Sequence, residues 1–62
     1  MAFSENLEQF QSEKGITDQE LAAQMGVAVS TIRRWKKGKL PTVKKALELA
    51  DYFEKSIDEL IK

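Results

Sequence analysis

Residues 19–39 read QELAAQMGVAVSTIRRWKKGK, and the rest of the chain is predicted to pack around them. Apolar residues recur in it at the three- and four-residue spacing of a helix face, first before Gly26 and again after it. Glycine reaches positive φ with little strain, so Gly26 predicts a tight turn between two helices, over about 18–25 and 28–36. The residues predicted to be buried are Leu21, Ala22 and Met25 before the turn and Ile32 and Trp35 after it.

Three further helices are predicted around this pair. Phe3, Leu7 and Phe10 form one stripe of an amphipathic first helix that ends at Gly15. The other helices begin at side-chain caps, with capping boxes at Thr17–Glu20 and Ser56–Glu59 and a single cap at Thr42. The apolar positions predicted to cover a broad face of the fourth helix are Val43, Ala46, Leu47, Leu49, Ala50 and Phe53. The sequence therefore predicts an all-α fold of five short helices in one domain over residues 1–62.

Composition removes several classes of function. The chain has 62 residues with neither Cys nor His, so disulfides and the usual zinc sites are excluded. Hydrophobic residues make up 42% of it, which suffices for one core but leaves no room for a ligand cavity. We expect no catalytic residues, no cofactor, no metal and no small-molecule ligand. No apolar run approaches the ~20 residues that span a bilayer, so we expect no membrane contact and a cytoplasmic location.

Charge is distributed unevenly although the net charge is zero. Residues 1–26 carry five acids and one lysine, a net −4, and residues 46–62 carry five acids and two lysines, a net −3. Residues 27–45 carry seven basic side chains and no acid, a net +7. A basic block of this kind can be a solvated face, but here it coincides with the second helix of the pair. The pattern favours nucleic acid as the partner.

The combined motif resembles the phage-repressor and Cro (C1) type of helix-turn-helix protein, the XRE-like family. The segments that carry the resemblance are EKGIT, MGV, STIRRW, GK followed by Pro41, and SIDEL, and they span Leu7 to Leu60. The resemblance implies a compact five-helix, lambda-repressor-like DNA-binding domain in which helices 2 and 3 form the helix-turn-helix. It also implies a sequence-specific transcriptional repressor that binds double-stranded operator DNA in a bacterial cell or phage-infected host, associated with the nucleoid.

The resemblance also assigns roles to residues of the third helix, whose first turn lies in the major groove in this family. Arginine can bond bidentately to guanine, serine can donate or accept, and valine can contact a thymine methyl. Trp35 is expected in the core, since its spacing from Ile32 matches the buried side. The predicted base-reading residues are Val29, Ser30, Arg33 and Arg34. The predicted phosphate-binding residues are Thr17, Thr31, Lys36, Lys37 and Lys39, whereas Lys44 and Lys45 are expected only to flank the DNA.

Three departures from the family pattern bear on these roles. Asp18 stands where a glutamine commonly holds a phosphate, and a carboxylate would repel that phosphate. Lys36–Lys37 replaces the common Glu-Asn, which strengthens attraction to the DNA backbone. Glu54–Lys55 replaces the usual glycine and apolar residue, so the turn before the fifth helix is expected to be built differently. Ala28, at the expected N-cap of the third helix, has no side-chain acceptor.

The expected assembly is a homodimer on DNA, with one recognition helix in each half-site about 34 Å apart. The fifth helix is the predicted dimer surface, through Ile57, Leu60 and Ile61, and Ile61 is the residue expected at the contact. One alternative is a helix-turn-helix scaffold that meets a protein, such as an antirepressor or antitoxin-like subunit. Overall neutrality and Asp18 favour that alternative slightly.

Overall fold

The computed structural model describes residues 3–62, so residues 1 and 2 of the predicted domain lie outside it. This part of the chain forms five helices and no strand, which confirms the predicted fold class. Its principal extents are 24 × 21 × 19 Å. The helices are α1 (Phe3–Lys14), α2 (Asp18–Met25), α3 (Val29–Lys36), α4 (Val43–Tyr52) and α5 (Ile57–Ile61).

The predicted caps start three of the helices. Glu20 donates its N–H to Thr17 Oγ1 at 3.1 Å, and Thr17 donates its own N–H to Glu20 Oε1 at 2.7 Å. The same reciprocal pair forms at α5 between Ser56 and Glu59, at 3.1 and 2.8 Å. Thr42 Oγ1 accepts the N–H three residues further on at 3.2 Å. Each bond satisfies a donor that the helix itself leaves free, so both capping boxes and the Thr42 cap are confirmed.

The centre of the molecule receives one fully buried side chain from every helix. These five residues are Leu7, Leu21, Ile32, Leu49 and Leu60, each 0% exposed. Two aromatic pairs belong to the same core. Phe3 meets Trp35 edge to face at 6.4 Å, and Phe10 meets Phe53 at 5.9 Å. All five helices are therefore held by the same core.

Part of the predicted broad apolar face of α4 is exposed. Val43 is 77% exposed and Leu47 is 53% exposed. The buried stripe of α4 runs through Ala46, Leu49 and Ala50, and Val43 and Leu47 lie on the adjoining ridge of the helix. Val43 also lines a surface cleft, which we call the apolar patch. Its residues are Leu40, Pro41, Val43, Ala46, Ile57 and Ile61.

The predicted dimer residues of α5 divide between core and surface. Leu60 is fully buried, so the prediction that it meets a partner is wrong. Ile57 is partly buried against the core, and Ile61 is 49% exposed. Successive residues of a helix point about 100° apart, which explains why Leu60 and Ile61 face opposite environments.

The turn before α5 is built on a left-handed residue that is not glycine. Glu54 adopts φ 58°, the left-handed conformation that glycine takes elsewhere in this chain. The Lys55 N–H then bonds to Ala50 O at 2.9 Å, which closes the end of α4. A non-glycine residue in this conformation costs about 1 kcal/mol, which the surrounding packing must offset.

Candidate nucleic-acid interface

A three-residue turn, 26–28, sets the direction of α3 relative to α2. Gly26 has φ 70°, and its N–H and that of Val27 both bond to Ala22 O. No atom lies within 4 Å of where a Cβ on Gly26 would stand, so crowding does not require glycine here. The positive φ does require it, because L side chains are strained in this conformation. The glycine turn predicted from sequence is confirmed.

One side of α3 is seated in the core. Ile32 is fully buried and Trp35 is 4% exposed, packed against the Phe3 ring. The prediction that Trp35 belongs to the core is confirmed, and its ring is not available for stacking on a base. These two anchors fix which side of the short helix faces outward.

The outward side of α3 carries a stripe of polar and basic residues. Ser30, Arg33, Arg34 and Lys37 are all exposed, and their spacing places them on neighbouring turns of one helix face. Neither arginine forms an ion pair with any residue of 3–62, so both guanidinium groups can meet an outside partner. The structure thus brings three of the four predicted base-reading residues together on one surface.

Val29 and Thr31 lie at the edges of this stripe. Both side chains are partly buried, and Val29 packs against the core cluster. Val29 can therefore present only part of its surface to a thymine methyl. Both predicted roles remain predictions, but the geometry makes them peripheral to the arginines.

The three lysines predicted to bind phosphate at the end of α3 and just beyond it fall into two groups. Lys37 and Lys39 are exposed, and neither pairs with an acid in the described part of the chain. Lys36 is partly buried, and its ammonium is hydrogen bonded to Asp18 at the start of α2. Of the predicted phosphate-binding lysines, two are free and one is already engaged.

The predicted capping box occupies part of the start of α2. The N–H groups of Thr17 and Glu20 are both used within the capping box. A phosphate at this terminus would thus be left with the amides of Asp18 and Gln19, beside the Asp18 carboxylate. The phosphate contact at Thr17 stays a prediction. Because of the cap, a phosphate there could bond only to the N–H groups of Asp18 and Gln19.

Asp18 is held from two directions. It accepts hydrogen bonds from the Lys36 ammonium and, at 2.8 Å, from the Gln11 side-chain amide. These two contacts, the Lys36 ammonium first, hold the pKa of the Asp18 carboxyl below its usual range. Asp18 was expected to depart from the family pattern, but neither of its partners was predicted. The position of Gln11, four residues after Leu7 on the buried stripe of α1, could have pointed to it.

Lys45 has a role that the sequence did not indicate. Its ammonium donates to Met25 O at 2.8 Å and to Glu48 Oε1 at 3.1 Å. Met25 ends α2, so this lysine binds a carbonyl at the negative end of the α2 dipole, next to the turn. Lys45 therefore holds α4 against the helix-turn-helix, whereas its neighbour Lys44 is exposed. No local pattern links residues 25 and 45.

Other kinds of site find little support in residues 3–62. No group of three His, Cys, Asp or Glu side chains there could hold a metal ion. None of the helices in this range is long and apolar enough to cross a membrane. A shallow cleft beside Phe10 and Phe53 is bordered by two ammonium groups, with Lys14 4.9 Å from the centre of the Tyr52 ring and Lys55 5.0 Å from that of Phe10.

Comparison with known proteins agrees with this geometry. The family model described as helix-turn-helix matches residues 8–60. The HTH-type transcriptional activator BcrR of Enterococcus faecalis is 34% identical over 98% of this chain, which spans 30% of that protein. The crystal structure of a transcriptional regulator from Listeria innocua superposes with a TM-score of 0.89 at 35% identity, covering 95% of this chain and 56% of that one.

Both relatives are longer than this chain, which spans about a third of one and just over half of the other. Both are named as regulators of transcription, and neither name describes an enzyme. The family match covers the predicted segments from α1 to α5 and includes the turn at Gly26. The chain therefore belongs to the XRE-like helix-turn-helix family.

Proposed function

We propose that this chain is the DNA-binding part of a transcriptional regulator and that α3 binds in the major groove of an operator. The observation that carries the proposal is the exposed, acid-free stripe of Ser30, Arg33, Arg34 and Lys37, placed opposite the buried anchors of α3. A rigidly seated helix with free guanidinium groups has the chemistry to bond guanine O6 and N7.

Different residues carry sequence reading and general affinity in this proposal. Arg34 and Arg33 read bases, with Ser30 and the exposed part of Val29 at the tip of the helix. Lys37 and Lys39 neutralise phosphates, together with Thr31 and the first turn of α2 near Thr17. Phosphate contacts fix the register of the protein on DNA, whereas base contacts provide the discrimination.

The apolar patch supports a homodimer as the DNA-bound form. Leu40 and Val43 are 68% and 77% exposed, and Ile61 stands at the other edge of the same cleft. A two-fold contact would cover this surface with the same surface of a second copy, and the dimer would need to present its two α3 helices to half-sites about 34 Å apart. Ile61→Lys should then reduce both dimer mass and operator affinity. Unchanged mass and affinity would exclude this surface.

Two directions of regulation are open to such a domain. We propose repression, in which the bound dimer occludes a promoter in the cytoplasm of a bacterium or phage-infected host. The Enterococcus relative is named an activator, which favours activation as the second candidate. Transcription in vitro from promoters with the selected site placed over or upstream of the polymerase site would separate the two.

The binding proposal is tested by selecting bound sites from random duplexes and measuring affinity across salt concentrations. We expect a selected site whose affinity falls steeply with salt, because several phosphates release counterions. Arg34→Ala should weaken the selected duplex about tenfold to a hundredfold and relax one base pair. Lys37→Ala should weaken all duplexes equally. Failure of a random duplex to retain the protein at low salt would instead favour the protein-interaction alternative.

A further inference from the structure

One ion pair joins the end of α3 to the start of α2. The Lys36 ammonium contacts Asp18 Oδ1, and the two residues are 18 positions apart in the chain. Their side chains are only 23% and 28% exposed. A pair that is mostly withdrawn from solvent is less screened than a surface pair and holds a more defined geometry.

The pair is itself held by α1. Gln11 is 5% exposed, and its Nε2 donates both to Asp18 Oδ1 at 2.8 Å and to Ile16 O at 3.2 Å. The Gln11 Oε1 atom is buried and accepts no hydrogen bond from the described residues. Burying an acceptor without a hydrogen bond costs free energy. The two bonds donated by Gln11 Nε2 must therefore offset the cost of its buried Oε1. Three helices thus meet at Asp18.

This arrangement distinguishes Lys36 from the lysine that follows it. Lys37 is exposed and belongs to the outward stripe of α3, whereas Lys36 is partly buried and neutralised by Asp18. A lysine whose charge is already balanced by a carboxylate releases few counterions when the protein binds DNA. Lys36 and Lys37 should therefore differ in how they affect binding, although they are adjacent in sequence.

We propose that Lys36 and Asp18 act as positioning residues that fix the tilt of α3 against α2, and so contribute to sequence discrimination without binding phosphate. The inference rests on the proposed DNA-binding function and deepens it. α3 has only eight residues, so Ile32 and Trp35 fix which side of it faces inward but leave room for a small pivot about that buried side, which the Lys36–Asp18 pair restrains. Hydrogen bonds from arginine to a base edge need a placement within about 0.5 Å, which such a pivot would spoil.

The test compares Lys36→Met with its matched neighbour Lys37→Met, since both substitutions remove one ammonium and keep most of the stem. Affinity is measured for the selected duplex and for a scrambled duplex of equal composition at four salt concentrations. Lys36→Met should reduce the ratio of the two affinities roughly fivefold and leave the salt slope unchanged. Lys37→Met should leave the ratio unchanged and flatten the slope by about one unit.

Two further variants keep the test decisive if Lys36→Met is unstable with Asp18 left unpaired. The double variant Asp18→Asn with Lys36→Met contains no unpaired charge, and its ratio of affinities for the selected and scrambled duplexes should fall as far as in Lys36→Met. Lys36→Arg retains the ion pair and should keep most of the wild-type ratio. Unfolding of every variant is followed by circular dichroism, so that affinities are compared only where the proteins are folded.

Each outcome has one meaning. If Lys36→Met behaves as Lys37→Met does, Lys36 is a phosphate ligand and the positioning role is overturned, while the DNA-binding proposal stands. If the ratio is unchanged in the double variant, the pair does not position α3. If the wild-type chain prefers no duplex over any other, the proposed function fails and the inference fails with it.

Discussion

The two helices of the helix-turn-helix begin in opposite ways. The start of α2 is closed by side chains of the chain itself, through the Thr17–Glu20 capping box and the contacts around Asp18. The start of α3 has no side-chain cap, because Ala28 offers only its backbone carbonyl, which accepts the Thr31 N–H at 3.0 Å. The free N–H groups at the start of α2 are thus partly satisfied by side chains, and those at the start of α3 are not.

This difference indicates how the two helices divide their tasks. A capped helix start is worth about 1 kcal/mol, so α2 adds stability to the scaffold. An aspartate cap on α3 would add similar stability but would place a negative charge where the proposed complex brings DNA phosphates. Stability and DNA binding therefore favour different residues at the start of α3.

Among changes at the two helix starts, the largest effect should come from placing a charged cap at the start of α3. Ala28→Asp should cap α3 and raise the free energy of unfolding by about 1 kcal/mol. It should also weaken DNA binding about tenfold through repulsion of nearby phosphates. Thermal unfolding and duplex titration at low salt measure the two effects separately.

Ala28→Ser is the control for this change, because serine provides the same cap without the charge. We expect it to match the stability gain of the aspartate variant and to retain most of the DNA affinity. If Ala28→Asp bound DNA as tightly as the wild type, the start of α3 would lie away from phosphates and the contrast between the helices would have no bearing on binding.

An intermediate effect should follow from removing the N-terminal cap of α2. Thr17→Ala removes the hydroxyl that accepts the Glu20 N–H, so the free energy of unfolding should fall by about 1 kcal/mol. In a domain of this size such a loss lowers Tm by about 4–8 °C. Thr42→Ala, which removes the cap of α4, is the matched control and should cost about as much. An unchanged Tm for Thr17→Ala alone would show that the α2 box adds nothing beyond the Asp18 contacts.

The smallest effect should be a loss of stability at low pH, caused by protonation of Asp18 at the start of α2. The Lys36 ammonium and the Gln11 amide lower the pKa of Asp18 below its ordinary 3.8 in the folded state. Asp18 therefore contributes stability above that ordinary pKa, and the contribution is lost as pH falls through the lowered folded pKa. Tm measured from about pH 5 to about pH 2 should fall less steeply in Asp18→Asn than in the wild type.

A second carboxyl makes this control necessary. The Ser56 backbone N–H and hydroxyl lower the pKa of Glu59, so acid also weakens the start of α5. That loss should be the same in the wild type and in Asp18→Asn. The difference between their curves of Tm against pH therefore reports the contribution of Asp18 alone. Identical curves would contradict the role assigned to the Asp18 contacts.

Much of the fold could be predicted because its determinants are local. Caps at Thr17, Thr42 and Ser56 and the glycine at position 26 act within four residues, and they place the helix starts and the turn. The exposure of Val43 and Leu47 could not be predicted in this way. Their hydrophobicity suits a core, and only the rotation of α4 against its neighbours decides which ridge faces inward.

In the candidate site, too, local features could be predicted and contacts between separate helices could not. The exposure of Arg33 and Arg34 follows from the burial of Ile32 and Trp35 on the same helix, which periodicity reveals. The engagement of Lys36 with Asp18, and of Lys45 with Met25 O, depends on how separate helices cross. A charged residue in a basic run gives no local indication of whether it faces solvent or a carboxylate of another helix.

The five-residue centre of the core has a consequence for how this domain can vary. Each helix commits one fully buried side chain to that centre, and in α3 it is Ile32. The exposed residues of α3 contribute nothing to it, so the recognition specificity should be exchangeable while the scaffold stays the same. The same arrangement makes partial unfolding costly, since no helix can detach without opening the centre to water. Amide hydrogen exchange should therefore slow most at residues beside these five side chains.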